Sequence, residues 1–358
     1  MKLARGRRIR ALDALAGPHG IDGYLEQLDP MLVRSEGRAE VLAVERQTPG
    51  SATLALRPSR AWDGFRAGQF VRVAVEVDGV RHERCYSPAS VEGRHGFEIT
   101  VTRHPGGLVS NFIADRARPG MVLGLSRVEG DFALPRPRPG PVLLIGGGSG
   151  LTPLLAILRT LLAEGHDDPI ALLHYAPDPE RALYREELAR LAAAHPSFTL
   201  RRSYTRVPGQ GEVDGHFSPA HLPQADPCFA AADTFACGPP ALLDAVRGTW
   251  ANGLEHRLHL ESFVPPSFAA AGAEGEGTIR FERAGVEVEN SGAPLLEQAE
   301  AAGLSPAYGC RMGICHSCTS RKLSGTHKNL TTGEVSSAPD EEIQLCVSAA
   351  LGDLAVEL

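Results

Sequence analysis

Between Ser35 and Leu134 apolar and polar residues alternate in short runs bounded by turn residues, the pattern of half-buried strands. It predicts strands at Ala39–Arg46, Ala52–Arg57, Gln69–Val77, Val80–Tyr86, Phe97–Arg103 and Met121–Ser126. Turns at Thr48-Pro49-Gly50, Asp78-Gly79 and Arg118-Pro119-Gly120 divide them, and one helical stretch lies near Leu108–Ala117. Six short strands and a helix suit a closed antiparallel barrel. Beyond a stiff proline-rich linker, Pro135–Gly140, the period changes. Val142–Ile145 is apolar without a break, as expected of a parallel strand buried on both faces. Helix Pro153–Glu164, strand Ile170–Tyr175, helix Glu180–Ala194, strands Phe198–Tyr204 and Thr234–Cys237, helix Pro240–Ala251 and strand Leu258–Ser262 follow. That order predicts a doubly wound α/β sheet.

The last part opens with a hairpin, Thr278–Glu282 and Val286–Glu289 around Ala284-Gly285, and continues with a helix from Pro294 to Ala302. A Gly/Ala-rich, flexible linker precedes it. At the other end, helix-like stretches Ile9–Ala16 and Ile21–Leu28 flank Gly17-Pro18. The expected division is an N-terminal helical extension (1–33), a β-barrel (34–138), an α/β domain (139–263), a linker (264–277) and a small α+β domain (278–358).

The 43% hydrophobic and 22% charged fractions are those of ordinary globular protein. No apolar run approaches the roughly 18 residues of a membrane span, and the first ten residues lack the apolar core of a secretory signal. Cys85, Cys228 and Cys237 are too scattered for a disulfide framework, so a reducing cytoplasm is expected. The net charge of −7 is uneven: residues 272–358 hold 13 Asp+Glu against 6 Lys+Arg, leaving 30 of each sign elsewhere. An acidic module of this kind suits a basic protein partner or ordinary solubility, and argues against nucleic acid.

Cys310, Cys315, Cys318 and Cys346 are separated by four, two and twenty-seven residues. This is the C-x4-C-x2-C…C spacing of a plant-type [2Fe–2S] site, which moves single electrons. A structural zinc site would favour paired C-x2-C elements, of which there is one. In the barrel, Arg84-Cys85-Tyr86-Ser87 ends a strand, and Gly107, Leu108, Val109 and Ser110 open the helix. An arginine against a phosphate, a phenol along a ribityl chain, a hydroxyl at N5 and a helix N-terminus at a pyrophosphate are what a flavin needs. Taken alone, the tetrapeptide is more often a strand end than a site.

In the α/β block, Gly146-Gly147-Gly148-Ser149-Gly150-Leu151-Thr152-Pro153 follows a buried strand and opens a helix, the context of a pyrophosphate-binding turn. A plain tight turn is the alternative. Cys237-Gly238-Pro239 ends a later strand, on the carboxyl edge where such sheets bind ligands, or is a buried cysteine before a turn.

These features in this order resemble the ferredoxin–NADP reductase superfamily, and the appended ferredoxin module resembles proteins of the phthalate-dioxygenase-reductase type. The resemblance spans roughly residues 36–358. It implies FAD, or FMN, in the barrel, a hydride from NAD(P)H at the α/β domain, and a C-terminal β-grasp ferredoxin. Glu261-Ser262-Phe263 matches the family's E-x-F, which implies that Phe263 lies near the flavin ring, with Ser87, Cys237 and Glu261 also at the reacting groups. Thr205-Arg206 resembles the Ser-Arg pair of NADP-dependent members, implying NADPH over NADH.

His19–Tyr24, Asp29–Met31 and the loop Arg311–His316 look most like bacterial reductases serving membrane fatty-acid desaturases. The resemblance thus implies a protein electron acceptor, a membrane di-iron desaturase or alkane-type hydroxylase. Lys2, Arg5, Arg7, Arg8 and Arg10 could bring the chain peripherally to an anionic membrane, or form a solvated tail. A soluble Rieske-type oxygenase or other hydroxylase is the alternative acceptor, and a non-catalytic electron carrier the alternative class. One departure stands out: His316 occupies a position often held by glycine, either tuning the cluster or as an exposed loop side chain.

Overall fold

A computed structural model describes residues 20–77, 79–251, 253–263, 275–309, 311–313 and 316–358. The expected helix Ile9–Ala16, the basic N-terminus, most of the linker, Cys310 and Cys315 lie outside them. The chain forms two compact units, Met1–Phe263 and Val264–Leu358. Among the described residues no helix is long and apolar enough to cross a membrane.

The first unit begins with helix α1 (Gly20–Leu28), tied down where both Asp22 carboxylate oxygens accept the N–H groups of Arg34 and Ser35. Strands β1 (Gly37–Thr48), β2 (Ser51–Pro58), β3 (Phe70–Val77), β4 (Val80–Tyr86), β5 (Phe97–Thr102) and β6 (Val122–Glu129) follow, with helix α2 (Leu108–Arg116) before β6. They pair antiparallel in the order β4-β3-β6-β1-β2-β5. The two end strands meet just past β4, where Pro88 bridges Ile99 and Ala89 N–H donates to Glu98 O at 2.8 Å. The expected barrel closes there, on the residues following Arg84–Ser87. Alternate positions such as Val41, Leu54, Val73, Ile99 and Leu123 fill it.

Five parallel strands form the second layer: β7 (Val142–Gly147), β8 (Ile170–Ala176), β9 (Phe198–Tyr204), β10 (Asp233–Cys237) and β11 (Leu258–Glu261). Their order, β11-β10-β7-β8-β9, reverses between β7 and β10, which sets a ligand crevice at the carboxyl ends of those strands. Helices α3 (Leu151–Glu164), α4 (Arg185–Ala194), the short α5 (Leu222–Ala225) and α6 (Pro240–Trp250) connect them. The helix expected from Glu180 starts five residues later. Asp178 caps a separate 3₁₀ turn, Pro179–Arg181, and Tyr184 then takes φ +53, which a helix cannot continue through.

That Tyr184 conformation has a purpose in packing. Its ring is 5% exposed and its hydroxyl hydrogen-bonds Thr53 and Thr100 of the barrel. Arg159 of α3 reaches across in the same way, donating to Ala89 O and Glu98 of the barrel and to both carboxylate oxygens of Glu187 on α4. One apolar cluster runs from barrel residues such as Leu54 and Ile99 through Val142, Leu154 and Phe235 of the α/β layer.

The second unit comprises β12 (Thr278–Phe281), β13 (Val286–Glu289), α7 (Leu295–Ala301), β14 (Thr319–Asn329), β15 (Val335–Ser336), β16 (Glu341–Gln344) and β17 (Ser348–Val356). The sheet order is β13-β12-β17-β14-β15, with β16 also on β14 and α7 packed below. β16 ends at Gln344, and Cys346 sits just beyond it in a 3₁₀ turn, Leu345–Val347. Lys322 of β14 is fully buried, its ammonium 2.9 Å from Ser336 O, 3.0 Å from Glu341 Oε2 and 3.1 Å from His327 Nδ1.

A buried cation costs most when its counter-charge is removed. Glu341→Gln is therefore expected to destabilise this unit by about 2–4 kcal/mol in denaturant unfolding, and Lys322→Met by less, because it removes the charge itself. The opposite ranking would show that the ion pair is not what holds β16 to β14.

Candidate functional site

The closing edge of the barrel and the first turn of α3 enclose a cavity of about 390 Å³. Arg84, Tyr86 and Ser87 line it from β4 and its end, Gly107, Val109 and Ser110 from the start of α2, Thr152 from α3, and Phe263 from the end of the unit. Seven of the barrel residues singled out by sequence were expected to meet, and six of them do. Leu108 turns outward, 44% exposed. Ser87 Oγ is buried without a hydrogen-bond partner among the described residues. An orphaned buried hydroxyl costs free energy, so this one fits a ligand that supplies its partner. Burial pushes the Tyr86 phenol up, keeping it neutral and able to donate. Thr100, Thr102 and His104 also line the cavity and were missed, and Ser149 of the glycine-rich turn joins them. Thr100 and Thr102 read as ordinary polar members of an alternating strand, and only barrel closure brings them here.

A second cavity, about 320 Å³, lies along the carboxyl edge of the parallel sheet. Gly147, Gly148, Thr205 and Pro239 line it, with Tyr175, His216 and Phe217, which the motifs did not reveal. Tyr175 had one usable signal, its place at the carboxyl end of a predicted strand; its hydroxyl lies 2.9 Å from His221 Nδ1. The backbone N–H groups of Thr205 and Arg206 donate to Ala176 O and Pro177 O, both at 2.9 Å, folding the end of β9 over that of β8. Thr205 thereby reaches the cavity wall, whereas Arg206 is exposed beside it.

The glycine-rich turn separates the two cavities: Ser149 and Thr152 face the first, Gly147 and Gly148 the second. Gly150 is where the turn meets β10, since a β-carbon there would collide with the carbonyl group of Cys237. Gly146 pairs in register with Cys237, and Gly238 packs on Gly147. Cys237 is itself fully buried, and burial, reinforced by Glu261 opposite it in β11, pushes its thiol up. It is no nucleophile at neutral pH. Pro153 is buried in the first turn of α3. Burial, with Asp131 adding to it, pushes the Glu261 carboxyl up to about 7.

In the second unit, Cys318 and Cys346 are both buried in one cluster, and Leu345 N–H donates to Cys318 O at 3.2 Å. Two of the four expected ligands thus converge. Cys310 and Cys315 are outside the described residues.

Three family models match the chain: an oxidoreductase FAD-binding domain at residues 45–133, an oxidoreductase NAD-binding domain at 144–248 and a 2Fe-2S iron-sulfur cluster binding domain at 279–351. An NADPH oxidoreductase of Mycobacterium tuberculosis is 34% identical over 344 residues, covering 94% of this chain and 88% of its own. The chain belongs to the ferredoxin–NADP reductase superfamily.

Within that superfamily, a glycine betaine monooxygenase reductase subunit of Chromohalobacter salexigens is 29% identical, over 82% of this chain and 87% of its own. The solved structure of phthalate dioxygenase reductase, a modular structure for electron transfer from pyridine nucleotides to [2Fe–2S], superposes with a TM-score of 0.59 at 25% identity, covering 90% of this chain and 97% of that one. The protein is accordingly an NAD(P)H-dependent oxidoreductase with FAD and a [2Fe–2S] cluster as its cofactors.

Glu261 gives this reductase a pH signature. Its carboxyl titrates near 7 when folded, against 4.5 in an ordinary environment, so the folded state binds the proton more tightly. The resulting stability is full below pH 4.5 and is lost as pH rises through about 7, amounting to about 3–4 kcal/mol. Glu261→Gln should flatten this dependence in denaturant midpoints measured between pH 5 and 8. A variant with the same pH slope would place the titrating group elsewhere.

Proposed function

We propose that the protein takes hydride from NADPH and passes electrons singly to a separate terminal oxygenase-type enzyme, with a membrane di-iron fatty-acid desaturase or alkane-type hydroxylase as acceptor. One observation carries the core of this reading: the glycine-rich turn is a wall common to the cavity with the orphaned Ser87 hydroxyl and the cavity along the sheet edge. A flavin and a nicotinamide held in those two places would be neighbours. The bound flavin supplies the exchange of one hydride for two single electrons, and the cluster carries the latter.

The chain's own residues bind and orient. Arg84 and the amides of Gly107–Ser110 suit the anionic end of FAD, Tyr86 its ribityl chain and Ser87 the ring, with Phe263 on the same cavity. Gly146–Pro153 and Cys237–Pro239 accommodate the dinucleotide, and Glu261 holds a proton at its carboxyl beside Cys237. Cys310, Cys315, Cys318 and Cys346 are assigned as cluster ligands. The division into extension, barrel, α/β domain, linker and ferredoxin at 33/34, 138/139, 263/264 and 277/278 belongs to the same proposal.

Two features support a membrane acceptor. The basic N-terminal run offers roughly 1 kcal/mol per residue near an anionic surface, and Tyr24, Leu28 and Leu32 at and after α1 are 55%, 80% and 48% exposed. Apolar insertion and basic charge together make the two signals that peripheral anchoring needs. The second reading, a soluble Rieske-type oxygenase as acceptor, draws on the relatives named as monooxygenase and dioxygenase reductases.

Arg206→Ala is expected to weaken NADPH binding by about 1–3 kcal/mol, the worth of a hydrogen bond to a charged group, while sparing NADH. Equal NADPH affinity would remove Arg206 from the site. Mixing the intact protein with NADPH, an acyl-CoA and desaturase-containing membranes should yield unsaturated product, and deleting residues 1–10 should slow it without changing cytochrome c reduction. No product there, beside efficient reduction of a soluble Rieske oxygenase, would favour the second reading.

A further inference from the structure

Two non-glycine residues of the cysteine loop adopt the left-handed backbone region, Arg311 at φ +58 and His316 at φ +55. A β-carbon makes that region unfavourable, and glycine avoids the cost. In both residues the side chain makes contacts that offset this cost. Arg311 stacks its guanidinium 3.9 Å from the Tyr308 ring centroid and pairs with Glu300. His316 is held differently. Gln344 Nε2 lies 2.7 Å from Gly313 O and 3.0 Å from His316 Nδ1.

A carbonyl can only accept, so the amide nitrogen faces Gly313 O and its second N–H is left for the imidazole. His316 Nδ1 is then the acceptor of this bond. Gly313, at φ +77, rests on the turn beyond Gln344: a β-carbon there would lie 2.9 and 3.0 Å from the two Val347 methyls. Gln344 stands two residues before Cys346, while Gly313 and His316 fall within the stretch from Cys310 to Cys318.

We propose that Gln344 is the positioning residue of the cluster loop, and that His316 stands where the backbone favours glycine because its Nδ1 completes the clamp. One side-chain amide ties the segment bearing the fourth cysteine to the loop bearing the other three. The clamp holds Gly313 and His316 against the segment leading to Cys346, so less freedom is lost in holding a cluster. This deepens the assignment of the four cysteines to a [2Fe–2S] site and rests on it.

The test uses the full chain with its cluster, in wild type, Gln344→Leu, His316→Gly and the double variant. Loss of the cluster's visible absorbance under excess EDTA gives a rate, and a dye-coupled titration gives the midpoint potential. Gln344→Leu should bleach about tenfold faster and His316→Gly about threefold faster, as expected for losing two hydrogen bonds or one. In the Gln344→Leu background the sign reverses: His316→Gly should slow bleaching, because strain is relieved and no bond remains to lose.

Gln344→Glu, of the same shape but with no N–H to donate to Gly313 O, should also bleach faster than wild type. It serves if the leucine variant does not assemble. Slower bleaching on His316→Gly in both backgrounds, or a wild-type rate and potential in both Gln344 variants, would overturn the clamp. A wild-type chain without iron and sulfide would overturn the cluster assignment as well, and elemental analysis shows that before any variant is made.

Discussion

The close approach of Gly150 to the Cys237 carbonyl is the contact on which the first unit's site depends. It pulls the turn after β7 against the end of β10, at the point where the sheet order reverses. With the turn held there, its two sides become walls of two different cavities. Hydride transfer tolerates little error in the separation of donor and acceptor. A backbone contact that leaves no room for a methyl group is a stringent way to set that separation.

The same constraint explains the investment in joining barrel to sheet. The two cavities draw residues from both layers, so relative motion of the layers would spoil the site. Arg159 crosses the junction with two hydrogen bonds, to Ala89 O and Glu98, and two more to Glu187 on α4 hold its guanidinium in place, while Tyr184 accepts an unfavourable backbone angle to place its hydroxyl between two barrel threonines. Burial in such a junction also accounts for the electrostatics. Cys237 stays a thiol because it is fully buried, and Glu261 titrates near neutrality because it is partly buried and near Asp131.

Much of this was legible in the sequence, and the parts that were not have physical causes. Continuous apolar runs marked β7 and β8, and alternation marked the barrel strands, because burial there is simple. β14 escaped because its core-facing Lys322 is charged and its other inward position, His327, is polar. A buried ion pair erases the period-two signal. β17 is interrupted by Gly352, and the helix expected at Glu180 was cut short by Tyr184, whose backbone angle follows from a tertiary hydrogen bond. Within the site, residues carried by local motifs converged as expected, whereas Thr100, Thr102, Tyr175, His216 and Phe217 are brought in by sheet closure and strand order. His316 was conspicuous in the sequence, but its partner Gln344 lies twenty-eight residues away.

The central claim is an ordered path on one chain, from nicotinamide through the first unit to the cysteines of the second. Rapid anaerobic mixing of the holoprotein with NADPH, followed by flavin absorbance and by electron paramagnetic resonance, tests it directly. The account predicts loss of oxidised-flavin absorbance first and then the signal of one reduced cluster per chain. In Cys315→Ser the first phase should remain and the second be missing. A reduced-cluster signal in protein stripped of flavin, or its persistence in Cys315→Ser, would contradict the account.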